Sequence, residues 1–336
     1  MKSLALIAMV LTALPLASAT LLVANKSDDT VDLLALEDGT SLATLETGHA
    51  PHEIAVSPDG RQAVITNYGD RSAPGSSLTV VDLSKKKVLR TIDLSDHKRP
   101  HGVVWLDASR VAVTAEGSAN LLVVDVKKGK VDAAISTGQD VSHMVAVHPG
   151  TSRAFVANIG SGSVTVVDLD AEKKLKDVVT GEGAEGIAIR PGTDEIWVTN
   201  RSADTLSVID AESLEVVATM PSKGFPIRIA FTPDGERALV SAAQTGEVVL
   251  IDASARRELR RAKLDLTTAP DAAQRLFGDR FGKSPVPVGL VMAADGKSAF
   301  VAATQADAVV VIDAATLEVI NVLKAGREPD GMALVR

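Results

Sequence analysis

The stretch "AEGIAIRPGTDEIWVTNRSADTLSVIDAESLEVVATM" (Ala184–Met220) breaks into four short apolar runs separated by turn residues. They are "AEGIAI" (Ala184–Ile189), "EIWVTN" (Glu195–Asn200), "DTLSVID" (Asp204–Asp210) and "EVVATM" (Glu215–Met220). Each is too short for a stable helix and rich in strand-forming residues, the second and third with alternation, so we read strands A to D. The A–B turn "RPGT" puts Pro and Gly where a type I turn wants them.

The unit recurs. Aligned on the apolar centre of strand A, Ala55, Val104, Ala146, Ala188, Ala230, Val291 and Ala333 are equivalent, at spacings of 49, 42, 42, 42, 61 and 42 residues. A period near 40–45 residues is the signature of four-stranded propeller blades. After the N-terminal segment the chain opens with "LLVAN" (Leu21–Asn25), a strand B with no strand A before it. It closes with "DGMALVR" (Asp330–Arg336), a strand A with no strand B after it. Joining the two hides both exposed edges. The expectation is an all-β, seven-bladed propeller with four antiparallel strands per blade, its ring closed by the C-terminal strand.

Several motifs resemble YVTN-type propeller repeats: "IWVTN" (Ile196–Asn200), "FVAN" (Phe155–Asn158), "VVATMPSKGFPIRIAFTPDGERALVS" (Val216–Ser241) and "REPDGMA" (Arg327–Ala333). The resemblance covers Thr20–Arg336. The tyrosine that gives the motif its name is missing, Tyr68 being the only one in the chain. Similarity to this superfamily implies kinship with the haem-binding propeller of periplasmic nitrite reductases and with lactonase-type propellers. The first relationship would make a histidine such as His101 an axial haem ligand. The second implies a calcium held by Asn and acidic side chains, for which no matching set can be assigned here.

Residues 1–19 read as a secretion signal. Lys2 supplies the positive start, Leu4–Leu16 the apolar run and Ala17–Ala19 the small-residue cleavage site. Residues 20–336 then form a single exported domain, periplasmic or secreted, and no later run is long enough to span a membrane. There is no cysteine, which excludes disulfides and haem attachment through Cys-x-x-Cys-His. A net charge of −8 and 3% aromatic residues argue against a nucleic-acid surface, which needs basic stripes and stacking platforms.

Topology assigns the faces. D–A connections and B–C loops share one face, here the top; A–B and C–D turns share the other. Both departures from the 42-residue period, residues 68–77 and 265–286, fall on top. So do five of the six histidines, His148 being the exception. His52, His101 and His143 are repeat equivalents of Glu185, Ile227, Val288 and Asp330, at the innermost strand's first residues. Imidazoles and carboxylates suit a divalent transition metal. The candidate metal set is therefore His52, His101, His143, Glu185 and Asp330, the last two also serving as fourth ligand or general base. Candidate ligand-lining residues are Asn25, Asn67, Asn158 and Asn200 at strand B ends, with Arg228 and Arg280. A short helix is expected over Asp271–Phe277. Asp82, Asp125, Asp168, Asp210, Asp252 and Asp313 end strand C in six blades, and a group so repeated serves the turn, not catalysis.

The favoured function is an exported binding or interaction module, taking a small-molecule ligand or a periplasmic protein partner at the channel mouth. The alternatives are a metal-dependent hydrolase or lyase using the histidines, and a haem-handling propeller.

Overall fold

A computed structural model describes residues 19–275 and 277–335 as seven four-stranded antiparallel sheets. Residues 1–18, which carry most of the expected export signal, lie outside the described residues. Blade 1 joins the last strand, Pro329–Val335, to Thr20–Asn25, Thr30–Ala35 and Ser41–Glu46. The closing pair runs from Thr20 opposite Val335 to Asn25 opposite Pro329. Blades 2 to 7 follow in chain order, each starting with its innermost strand A.

Each boundary between blades holds its own apolar cluster. At the closure, Leu21, Val23 and Leu34 pack on Phe300, Ala302 and Val309 of blade 7, while Leu22, Ala24 and Leu33 pack on Ile54, Ala63 and Ile65 of blade 2. This corrects one sequence expectation. Strands B and C do not alternate between buried and exposed residues; they are buried on both faces, because each blade is sandwiched between two others. Exposure is concentrated in the outer strands D, as in Val216–Pro221, with only end residues such as Arg110 and Arg237 exposed in strands B.

The top face is shaped by one device repeated seven times. The residue before strand A is left-handed in every blade: Ala50, Arg99, Val141, Gly183, Phe225, Val286 and Glu328, with φ between 48° and 76°. Only one is glycine, and the conformation is costly for a β-branched valine. Next, each A–B pairing shifts register within the first residues of strand A, as between Pro100 and Val103. Such a bulge re-aims side chains and leaves backbone groups out of the ladder.

Hydroxyls on strand B take up those groups. The Thr114 hydroxyl accepts from the Gly102 amide (2.8 Å) and donates to the His143 carbonyl of the next blade (2.6 Å). Thr66, Thr199 and Ser241 donate likewise to the carbonyls of His101, Ile227 and Val288. Gly102 must be glycine, since a Cβ there would lie 2.8 Å from the His143 carbonyl oxygen.

The turn aspartates behave as expected: Asp210, for example, accepts from the Ser213 amide at 2.7 Å. Two other expectations need adjustment. The 68–77 insertion is largely an extended hairpin, with strands Gln62–Gly69 and Pro74–Asp82, not a free loop. The expected helix over Asp271–Phe277 shrinks to a single 3-10 turn, Ala272–Gln274.

If the hydroxyl relay holds the top face, Thr114→Val leaves two buried backbone groups unpaired, at about 1–3 kcal/mol each. Chemical denaturation should show a loss of about 2–6 kcal/mol, whereas Thr219→Val on an exposed outer strand should change stability by less than about 0.5 kcal/mol.

Candidate functional site

The second residue of strand A points at the central channel in every blade, and all seven side chains are buried: His52, His101, His143, Glu185, Ile227, Val288 and Asp330. Three histidines far apart in sequence therefore meet. The rings of His52 and His101 have centroids 5.1 Å apart, and those of His101 and His143 are 3.5 Å apart at a tilt of 31°. Tyr68 closes the row, 4.4 Å from the His52 ring. Together they border a cavity of about 300 Å³ at the channel mouth.

A second ring stands above the first, built from Lys26, Glu116, Ile159 and Arg201, each directly after its strand B, and from Tyr68, the repeat equivalent in the prolonged strand B of blade 2. Its key member is Glu116, which repeat counting on strand A could not reveal. One Glu116 oxygen lies 2.5 Å from His143 Nδ1, and the other accepts from the Tyr68 hydroxyl at 2.5 Å. His143 Nε2 faces Glu185 at 3.3 Å, and Glu185 in turn accepts from Arg201 at 2.6 Å. Asp330 is taken by Lys26 at 3.1 Å. Below the histidines, Arg228 crosses the channel to Glu53 of blade 2 (2.5 Å) and also reaches Glu185 (3.3 Å). Arg228 thus ties blade 6 to blades 2 and 5 across the channel.

The histidines differ in charge for physical reasons. Burial, helped by the Lys26 ammonium, pushes His52 down to about 4, and its Nδ1 lies 2.9 Å from the Ala50 carbonyl. Burial and the neighbouring imidazoles push His101 well below the usual value. Burial opposes charge on His143 too, but the Glu116 and Glu185 carboxylates outweigh it and raise its pKa. His101 has no hydrogen-bond partner for its buried Nδ1.

Of the five residues expected as metal ligands, His101 and His143 fall in one potential ligand set, and its third member is Glu116. One ligand atom from each lies within 4.8 Å of the others. Glu185 and Asp330 are engaged by cations instead. The four asparagines turn into their own blades: Asn67 Nδ2 donates to Ser77 and Thr79, and Asn200 Nδ2 to Thr205 and Ser207. Asn25 and Asn158 make the same contacts in theirs, to Thr30 and Asp32 and to Ser163 and Thr165. Arg280 does border the cavity. It is carried by the 265–286 insertion, where Arg275 pins the loop through Asp271 and Asp307 (2.6 Å each), Phe281 packs on Phe225 of blade 6, and Phe277 stacks on Phe281.

The depressed His52 value fixes a pH dependence. Its folded pKa lies below the unfolded value of 6.5, so acidification protonates the unfolded chain first. Stability is lost as pH falls from 6.5 towards 4, at about 1.4 kcal/mol per pH unit. His52→Gln should therefore lose about 2 kcal/mol less than the wild type between pH 7 and pH 5 in urea denaturation. Equal losses would contradict the burial of a neutral imidazole here.

Comparison with known proteins places the fold. Hydrazine synthase from Kuenenia stuttgartiensis superposes with a TM-score of 0.71 at 19% identity, over 89% of this chain and 93% of that one. A functionally unknown protein from Desulfotomaculum acetoxidans gives 0.77 at 14% identity, over 94% and 99%. The dihydro-heme d1 dehydrogenase NirN, in complex with DHE, gives 0.66 at 18% identity, over 94% and 74%. At these identities the likeness is one of fold. No curated protein matches the chain in sequence. A family model does, over residues 104–276, about half of the chain, and with its seven four-stranded blades the chain belongs to the YNCE-like beta-propeller family.

Proposed function

We propose that this chain is an exported binding propeller whose channel mouth holds a divalent transition metal through His101, His143 and Glu116. The observation that carries this reading is His101. Its ring is only 3% exposed, and its Nδ1 is buried with no partner. An unpaired buried polar atom costs about 1–3 kcal/mol, and a neutral imidazole nitrogen is what such a metal takes. Loading competes with protonation of His143, whose pKa the two carboxylates raise, so affinity falls as pH falls. A metal bound here would supply a Lewis acid; the chain supplies the donors and excludes water around them.

The hydrolase or lyase alternative shares these residues but is less well supported. Glu116 is held by both Tyr68 and His143, and Glu185 and Asp330 carry ion pairs, which leaves no free carboxylate in the cluster to act as a base. A haem-type ligand is the second reading, favoured by the same unpartnered nitrogen of His101 and by the likeness to a dehydrogenase solved in complex with DHE. Export belongs to the same proposal. The first strand begins at Thr20, so cleavage after Ala19 would spare every residue of it.

Elemental analysis of untagged protein exposed to Zn²⁺, Mn²⁺ or Cu²⁺ should find about one equivalent per chain, and His101→Ala should weaken binding at least tenfold. Less than a tenth of an equivalent would reject the metal. A Soret band on haem addition that is lost in His101→Ala would favour the second reading instead.

A further inference from the structure

Beside the imidazoles, the cavity has a second character. Ile227 and Val288, from two blades that face the histidines across the ring, line it with apolar side chains, joined by Phe277 of the insertion and by Ile159 of blade 4. Its charge is also unusual for a chain of net −8, since five cationic side chains border it against three carboxylates. Three of the cations are spoken for: Lys26 by Asp330, Arg201 by Glu185, and Arg228 by Glu53 and Glu185. The other two, Arg71 and Arg280, make no hydrogen bond or ion pair among the described residues. Arg280 is nonetheless held in place, its guanidinium lying 5.0 Å from the Phe225 ring centroid and 5.2 Å from that of Phe281. Arg71 also borders the adjoining hollow of about 810 Å³.

The origin of the pair is informative. Arg71 lies in the 68–77 insertion and Arg280 in the 265–286 insertion, the two departures from the 42-residue repeat. Each insertion brings one uncompensated guanidinium to the same cavity. Guanidinium groups recognise carboxylates and phosphates alike, through paired N–H donors. The apolar lining selects between them by offering an organic body a dry surface. At about 300 Å³ the cavity sits at the lower end of small-molecule sites.

We propose that the mouth receives a small organic dicarboxylate, its apolar body against Ile159, Ile227, Val288 and Phe277 and its charges on Arg71 and Arg280. This rests on the reading of the mouth as a binding site, but not on the metal.

Isophthalate, a poor chelator, is a suitable probe. Calorimetric titration into untagged wild-type protein should show one site per chain, and dimethyl isophthalate should show none. Arg71→Ala, in an exposed segment where Arg71 has no partner to lose, should weaken isophthalate binding at least tenfold. Arg280→Ala should do the same, and zinc uptake by both variants should stay as in wild type. The dicarboxylate assignment is overturned if wild type does not bind isophthalate, if both variants bind it as wild type does, or if inorganic phosphate binds equally well. His101→Ala separates the two readings: loss of zinc with isophthalate retained supports this site whatever the fate of the metal.

Discussion

The site depends on a conformational constraint at the start of strand A. A left-handed residue followed by a bulge turns the next side chain into the channel, once per blade. Neither feature is favourable alone. Left-handed backbone at Ala50, Val141 or Val286 costs energy, and a bulge strands backbone donors and acceptors. The hydroxyls of Thr66, Thr114, Thr199 and Ser241 make the arrangement tenable by bridging the stranded groups of one blade to a carbonyl of the next. The same bond that fixes the His101 or His143 backbone thus couples neighbouring blades. Seven apolar interfaces supply the bulk of cohesion, and the relay sets the angle at which side chains reach the mouth.

That geometry produces an electrostatic division of labour. Three imidazoles packed in a row cannot all be charged, because each disfavours a proton on the others. The carboxylates favour one of them over the others. Glu116 and Glu185 flank His143 and favour its charge, while His52 and His101 stay neutral in a buried setting. Beneath them the Arg228–Glu53 pair spans the channel, linking blade 6 to blade 2.

Much of this was legible in the residues. The period, the strand order inside a blade and the complementary chain ends specify seven blades, because each follows from strand and turn chemistry repeated at fixed spacing. The convergence of His52, His101 and His143 follows from their shared position in the repeat. Glu116 was hidden because it belongs to a different ring, at the top end of strand B, where the equivalent Lys26, Tyr68, Ile159 and Arg201 offer no second carboxylate or imidazole. The asparagines ending strand B misled for the opposite reason. They recur and lie near the top, but their amides satisfy serine and threonine hydroxyls inside the blade. Alternation failed in strands B and C because a blade has no solvent face there. The helix expected in the 265–286 insertion gave way to aromatic stacking and the Arg275 ion pairs, which fix the loop without regular structure.

Side chains remote in the chain, then, form one donor cluster around the channel mouth. The most direct test is anomalous diffraction at the zinc edge from crystals of the zinc-treated protein. The account predicts a single dominant peak at the channel mouth, about 2.0–2.1 Å from a nitrogen of His101 and of His143, with Glu116 completing the donors. A peak at the exposed His49 or at His148 on the opposite face, with none between His101 and His143, would contradict it.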